Sequence, residues 1–164
     1  MKYICRIPTI EEMNKKWDYE IEHNDDKSNW ITWKESAIDR TNKKQTITYY
    51  GFLDNEIICE TTAAIDSKIV QNSEDLIDDK TAYLFAFRTI DKYQGQGYFS
   101  KLFKYMIEDL KNKGYKRVTL GVEPSEIKNK EIYTKYGFTN HIKRCVEKYP
   151  DGQIVTVDYY SKDI

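Results

Sequence analysis

From residue 99 to residue 110 the apolar side chains Phe99, Leu102, Phe103, Met106, Ile107 and Leu110 recur at i, i+3, i+4, i+7, i+8 and i+11. Lys101, Lys104, Glu108, Asp109 and Lys111 fill positions between them, so the stretch predicts one α-helix with a single apolar stripe, stopped at Lys113-Gly114. Upstream, Tyr83-Leu84-Phe85-Ala86-Phe87 is too short and too aromatic for a helix. It forms the centre of a buried strand over residues 80–90. Between the two lies Asp91-Lys92-Tyr93-Gln94-Gly95-Gln96-Gly97-Tyr98-Phe99-Ser100. A helix start carries unpaired N–H groups and the positive end of the peptide dipole, and two glycines let the preceding backbone approach an anion. The loop therefore suits a phosphate, although the same pattern also serves as a plain tight connection.

The remaining periodicities predict a strand at 2–6, then a helix opened by the capping box Thr9-Ile10-Glu11-Glu12, with Ile10, Met13, Trp17 and Ile21 on its apolar face. A second helix is expected at 29–42, with Trp30, Trp33 and Ala37 inward. Residues 45–53 and 56–66 are β-rich runs around a two-residue Asp54-Asn55 turn, which makes a hairpin. Residues 67–79 form an acidic connection that could draw a cationic substrate or simply be solvated. At 117–123 Val118, Leu120 and Val122 alternate with Thr119, Gly121 and Glu123, a strand parallel to its predecessor across the helix. A short helix at 126–136 and a closing hairpin, 139–147 with 154–161, complete the chain.

The 164 residues suit one domain, 40% hydrophobic and 32% charged, with no apolar run long enough to span a membrane. The opening residues lack a secretory pattern, so a cytoplasmic location is expected. Cys5, Cys59 and Cys145 are widely spaced and sit in apolar strands, which argues for buried thiols rather than a disulfide framework or a metal site. His23 and His141 are expected to be surface or structural. Net charge is −1, yet residues 101–148 hold 12 Lys and Arg against 6 Asp and Glu. That basic half would favour a small polyanion, or is a solvated lysine face; scarce arginine argues against nucleic acid.

Taken together, this order of elements resembles the GCN5-related N-acetyltransferases (GNAT family) over nearly the whole chain, most specifically at residues 81–138. Gln94-Gly95-Gln96-Gly97-Tyr98-Phe99 is similar to their acetyl-CoA loop, Arg/Gln-x-x-Gly-x-Gly/Ala, and Ile132-Tyr133-Thr134-Lys135-Tyr136-Gly137-Phe138 to their later Tyr-x-x-x-Gly-Phe element. The family's last loop position is Gly or Ala, where this chain has Phe99; its side chain is expected to turn into the core and its amide towards the ligand.

The resemblance implies a mixed α/β fold: a mostly antiparallel sheet of about seven strands with one parallel, splayed pair, flanked by about four helices. It implies acetyl-CoA as acyl donor, held at the pyrophosphate by Gln94, Gly95, Gln96, Gly97, Tyr98, Phe99 and Ser100. Phe87, Arg88 and Thr89 would offer main-chain hydrogen bonds to the pantetheine arm, and Asn129 a polar side chain beside it. An amine would attack the thioester directly, with Tyr133 protonating the departing thiolate and Glu123 or Glu60 as candidate bases. Two other readings stay open: a nucleotide-binding oxidoreductase, since Gly95-Gln96-Gly97-Tyr98-Phe99-Ser100 nearly spells GxGxxG, and a non-catalytic acyl-CoA-binding module. The acceptor is a small-molecule or peptide amine. Trp30, Trp33, Tyr149, Tyr159 and Tyr160 hint at an apolar body on it, and homodimerisation is left open.

Overall fold

The computed structural model describes all residues 1–164. Its elements run β1 (Tyr3–Arg6), α1 (Ile10–His23), α2 (Lys27–Asn42), β2 (Thr46–Leu53), β3 (Glu56–Ala64), β4 (Thr81–Thr89), α3 (Tyr98–Asn112), β5 (Arg117–Val122), α4 (Ile127–Lys135), β6 (Asn140–Lys148) and β7 (Ile154–Asp163). The strands hydrogen-bond in the order β1-β2-β3-β4-β5-β7-β6. β4 and β5 are the parallel pair, and β1 with β2, β5 with β7 and β6 with β7 pair antiparallel. No helix is long and apolar enough to cross a membrane.

The expected elements are all present, with ends shifted by a residue or two, because their signals are local. Asp54 and Asn55 take φ of 47° and 73°, the left-handed pair that a two-residue turn between twisted strands requires. α1 begins at the anticipated capping box: Thr9 accepts from the Glu12 amide at 3.2 Å, and the Glu12 carboxylate accepts from the Thr9 amide at 2.9 Å. Arg6 grips the same carboxylate at 2.8 and 2.6 Å, and these bonds hold its pKa down to about 2.

Two compact units divide the chain, Met1–Thr62 with Ala86–Asp109 and Ala63–Phe85 with Leu110–Ile164. In the first, Met13 and Trp17 of α1 and Trp30 of α2 pack on Tyr50 and Phe52 of β2. In the second, Leu76, Val157 and Tyr159 form a cluster. Trp30, expected to face inward, and Tyr159 are both buried in these clusters. Of the cysteines only Cys59 is buried, and Cys5 and Cys145 are half-buried. On α4 the apolar Ile132 is 44% exposed; a short helix with one polar residue after another carries too weak a stripe to fix its rotation.

β4 departs from a plain strand. Its parallel ladder with β5 runs from Thr81↔Arg117 to Leu84↔Leu120, while β4 itself continues to Thr89. Just beyond the ladder Ala86 has φ of 60°, a left-handed backbone that is uncommon for a non-glycine residue and departs from regular strand geometry. It immediately precedes Phe87, Arg88 and Thr89, the residues expected to offer main-chain groups to a ligand.

Candidate active site

Past β4 a single 3₁₀ turn, Asp91–Tyr93, leads into the glycine loop. Gln94 closes it, donating from Nε2 to the Thr89 carbonyl at 3.1 Å and the Asp91 carboxylate at 3.2 Å. Gly95 and Gly97 then take φ of 73° and 85°, and a Cβ on either would meet nothing within 4 Å. Backbone hand, not space, demands glycine there, since a side chain in that conformation costs about 1–2 kcal/mol. α3 opens at Tyr98, and an early helical bond runs from the Lys101 amide to the Gly97 carbonyl at 3.3 Å. The loop thus delivers a helix N-terminus to its own concave backbone, a ready anion site.

Phe99 does not obstruct that backbone. Its ring lies 5.5 Å from Phe87 and 6.5 Å from Phe103, within the apolar stripe of α3. Side chains alternate along β4, so Arg88 points to the other face, where its guanidinium sits 4.3 Å over the Trp30 ring. Thr89 approaches Cys59, with Oγ1 3.5 Å from Sγ.

A tether for the loop comes from far away in sequence. The Tyr3 hydroxyl donates to the Tyr98 carbonyl at 2.8 Å, with the rings 4.8 Å apart. Burial raises the pKa of this hydroxyl far above its ordinary value, so it stays a donor. Tyr3 can lie there because residue 51 has no side chain: a Cβ on Gly51 would stand 2.1 Å from the Tyr3 hydroxyl oxygen. Gly51→Ala and Tyr3→Phe are each expected to weaken coenzyme A binding by about fivefold, the worth of one hydrogen bond. Calorimetric titration checks this; unchanged affinity in both would mean that the loop holds its shape without the tether.

Also in the first unit, Glu60 of β3 is 2% exposed and ion-paired with the buried Lys16 of α1. Burial raises the pKa of the carboxyl, against the pull of Lys16 and then Arg88. Behind it stands Tyr50, fully buried, whose hydroxyl has no hydrogen-bond partner.

In the second unit, Glu123 follows β5 and Glu126 caps the start of α4. Burial raises the pKa of Glu123 first, and the hydrogen bond and like charge of Glu126 raise it further, while a hydrogen bond with Tyr149 opposes them. The Asn129 amide donates to Glu126. Tyr133 is half-buried on α4 and interacts electrostatically with Tyr83, whose own hydroxyl is driven up by burial and by Glu147. Tyr159 also donates to Glu147. Tyrosine hydroxyls and glutamates are therefore interleaved around the end of β5, a set able to exchange protons.

Some site features left no trace in local pattern. Ala86 reads as an ordinary strand residue, and the Tyr3–Gly51 contact joins residues 48 positions apart. Lys16 did leave a signal: it falls between Met13 and Trp17 on the inward face of α1. The acidic connection is held structurally, Lys143 donating to the Asn72 carbonyl at 2.8 Å and Arg117 to that of Asp75 at 3.1 Å. His141 is likewise structural, sharing the Asp158 carboxylate with Arg144 at 3.0 and 2.9 Å.

Comparison with known proteins yields a match of residues 7–138 to the model of the acetyltransferase (GNAT) family. No curated protein matches the chain in sequence. Among solved structures, an N-acetyltransferase from Staphylococcus aureus Mu50 superposes with a TM-score of 0.72 at 13% identity, covering 99% of both chains. The ribosomal-protein-S18-alanine N-acetyltransferase from Escherichia coli reaches 0.71 at 16% identity, over 99% of this chain and 94% of its own. RimL, a ribosomal L7/L12 alpha-N-protein acetyltransferase in complex with coenzyme A, reaches 0.69 at 13% identity, over 100% and 95%. At these identities the likeness establishes the fold.

Proposed function

Because the chain belongs to the GNAT family of acetyltransferases, whose acyl donor is acetyl-CoA, we propose that residues 1–164 act as one domain that acetylates an amine directly within a ternary complex. The observation that carries this reading is the pair of left-handed glycines opening α3. Backbone free of Cβ atoms and followed by a helix N-terminus fits a diphosphate. Gln94 through Ser100 hold it, the main chain of Phe87, Arg88 and Thr89 aligns the pantetheine arm as an added strand would, and Asn129 flanks that arm.

Bound acetyl-CoA supplies an activated acyl carbon: the amine nitrogen bonds to it, the C–S bond breaks, and the sulfur leaves with the electron pair. The chain's own residues position the partners and move two protons. Glu123, whose carboxyl is shifted upward towards neutrality by burial and Glu126, takes one from the amine. Tyr133 gives one to the sulfur. The acceptor is a small-molecule or peptide amine.

Initial rates of CoA release test the scheme. Rates with acetyl-CoA and an amine panel varied together should follow an intersecting pattern. A ping-pong pattern would overturn direct transfer, and acetyl-CoA binding without CoA release to any amine would leave a silent module. A base acts deprotonated, so kcat/KM should fall as pH drops through the raised Glu123 pKa, and Glu123→Gln should lower and flatten that acidic limb by about a hundredfold at its plateau. An unaltered profile would remove Glu123 from the mechanism.

A further inference from the structure

Within the first unit, α1, the β2–β3 turn, β3 and the end of β4 line an open cleft of about 330 Å³. This sits at the low end of the roughly 300–1,000 Å³ of small-molecule sites. Its lining carries both signs, with Lys15 and Arg88 cationic, Glu20 and Glu56 anionic, and the buried Lys16–Glu60 pair among them.

Of the charges in this lining, Lys15 and Arg88 make no hydrogen bond or ion pair, and only Arg88 presents a planar fork. Lys16 is spent on Glu60, Glu20 accepts from Asn24 at 3.1 Å, and Glu56 accepts from Tyr93 at 3.0 Å. The Arg88 guanidinium lies over the face of Trp30, a contact that orients its plane and uses none of its N–H groups, and it attracts Glu60 without hydrogen-bonding to it. A planar fork of donors, pre-oriented and without a protein acceptor, matches a carboxylate bidentately.

We propose that this cleft is the acceptor site and that the acceptor is a small amino carboxylate, an amino acid or a close derivative, whose carboxylate docks on Arg88. The inference rests on the transferase reading above and adds the acceptor's chemistry. A lining of both signs disfavours a plain polyamine, which would face Lys15 and Arg88 uncompensated, and a polyanion, which would face Glu20 and Glu56. The amine end of an amino carboxylate meets those two glutamates' field while its carboxylate takes the free fork.

Free amino acids, the same compounds as carboxamides, their decarboxylated amines and short peptides are assayed as acceptors by CoA release. Amino acids are expected to exceed their amides and decarboxylated forms in kcat/KM by about 10- to 100-fold, the range for hydrogen bonds to a charged group. Arg88→Gln should raise the amino-acid KM by a similar factor and erase the preference over amides; Arg88→Lys should restore part of it. Decarboxylated amines or peptides equal to amino acids in the wild-type enzyme would overturn the proposal while leaving acetyl transfer standing. Should no amine release CoA, the transferase reading fails instead, and calorimetry of each free amino acid of the panel against wild type and Arg88→Gln then decides the cleft alone: binding lost with the guanidinium supports it, and absence of binding by any of them sinks it. If Arg88→Gln does not fold, the wild-type panel decides.

Discussion

Lys16→Met is expected to lower the unfolding free energy by about 3–5 kcal/mol, the usual penalty for removing one partner of a buried ion pair. The substitution keeps an unbranched chain one atom shorter and deletes the charge, leaving the Glu60 carboxylate at 2% exposure with only the more distant Arg88 to offset it. Lys16→Met with Glu60→Leu should recover most of the loss, because no uncompensated charge then stays buried. The pH dependence has a definite sign. Burial already raises the Glu60 pKa in the folded protein, and losing Lys16 raises it further. The folded variant then binds more protons than the unfolded chain above pH of about 4.3, so its stability should climb as pH is lowered towards that value. Urea unfolding of the three proteins between pH 5 and 8 checks this, with buffer values of about that range chosen to bracket the carboxyl transition. A single variant as stable as the wild type would mean that water reaches Glu60.

For Tyr133→Phe, kcat should fall about a hundredfold with the acetyl-CoA dissociation constant unchanged. General-acid catalysis contributes about 10²–10⁴, and the lower end applies because a thiolate departs readily even without full protonation. The variant loses only a hydroxyl on a half-buried position of α4, so its melting temperature should move little. A rate loss below about twofold would transfer the proton to another donor, with Tyr83 and Tyr149 the next to test, both hydrogen-bonded to glutamates in the same unit. Tyr133 and Arg88 make separable signatures, one in turnover and one in acceptor KM.

The parts of the site legible in sequence are those whose geometry is local. Gly95 and Gly97 lie between a strand-like run and a helical stripe, and their positive φ follows from the turn that joins those elements. The stripe of α3 placed the Phe99 ring with that of Phe103, as their contact shows. The capping box at Thr9 and the left-handed turn at Asp54-Asn55 were equally readable, because every atom they need lies within four residues.

By itself, then, the chain's order of apolar and polar residues determined the elements, their sequence and the glycine loop, since hydrophobic period and backbone hand act over a few residues. Only tertiary structure decided the left-handed backbone at Ala86, the seat of Tyr3 over Gly51, the inward pairing of Lys16 with Glu60 and the exposure of Ile132. Each of these depends on which distant surface a side chain meets, and a burial free energy summed over two surfaces has no counterpart in the period of either one.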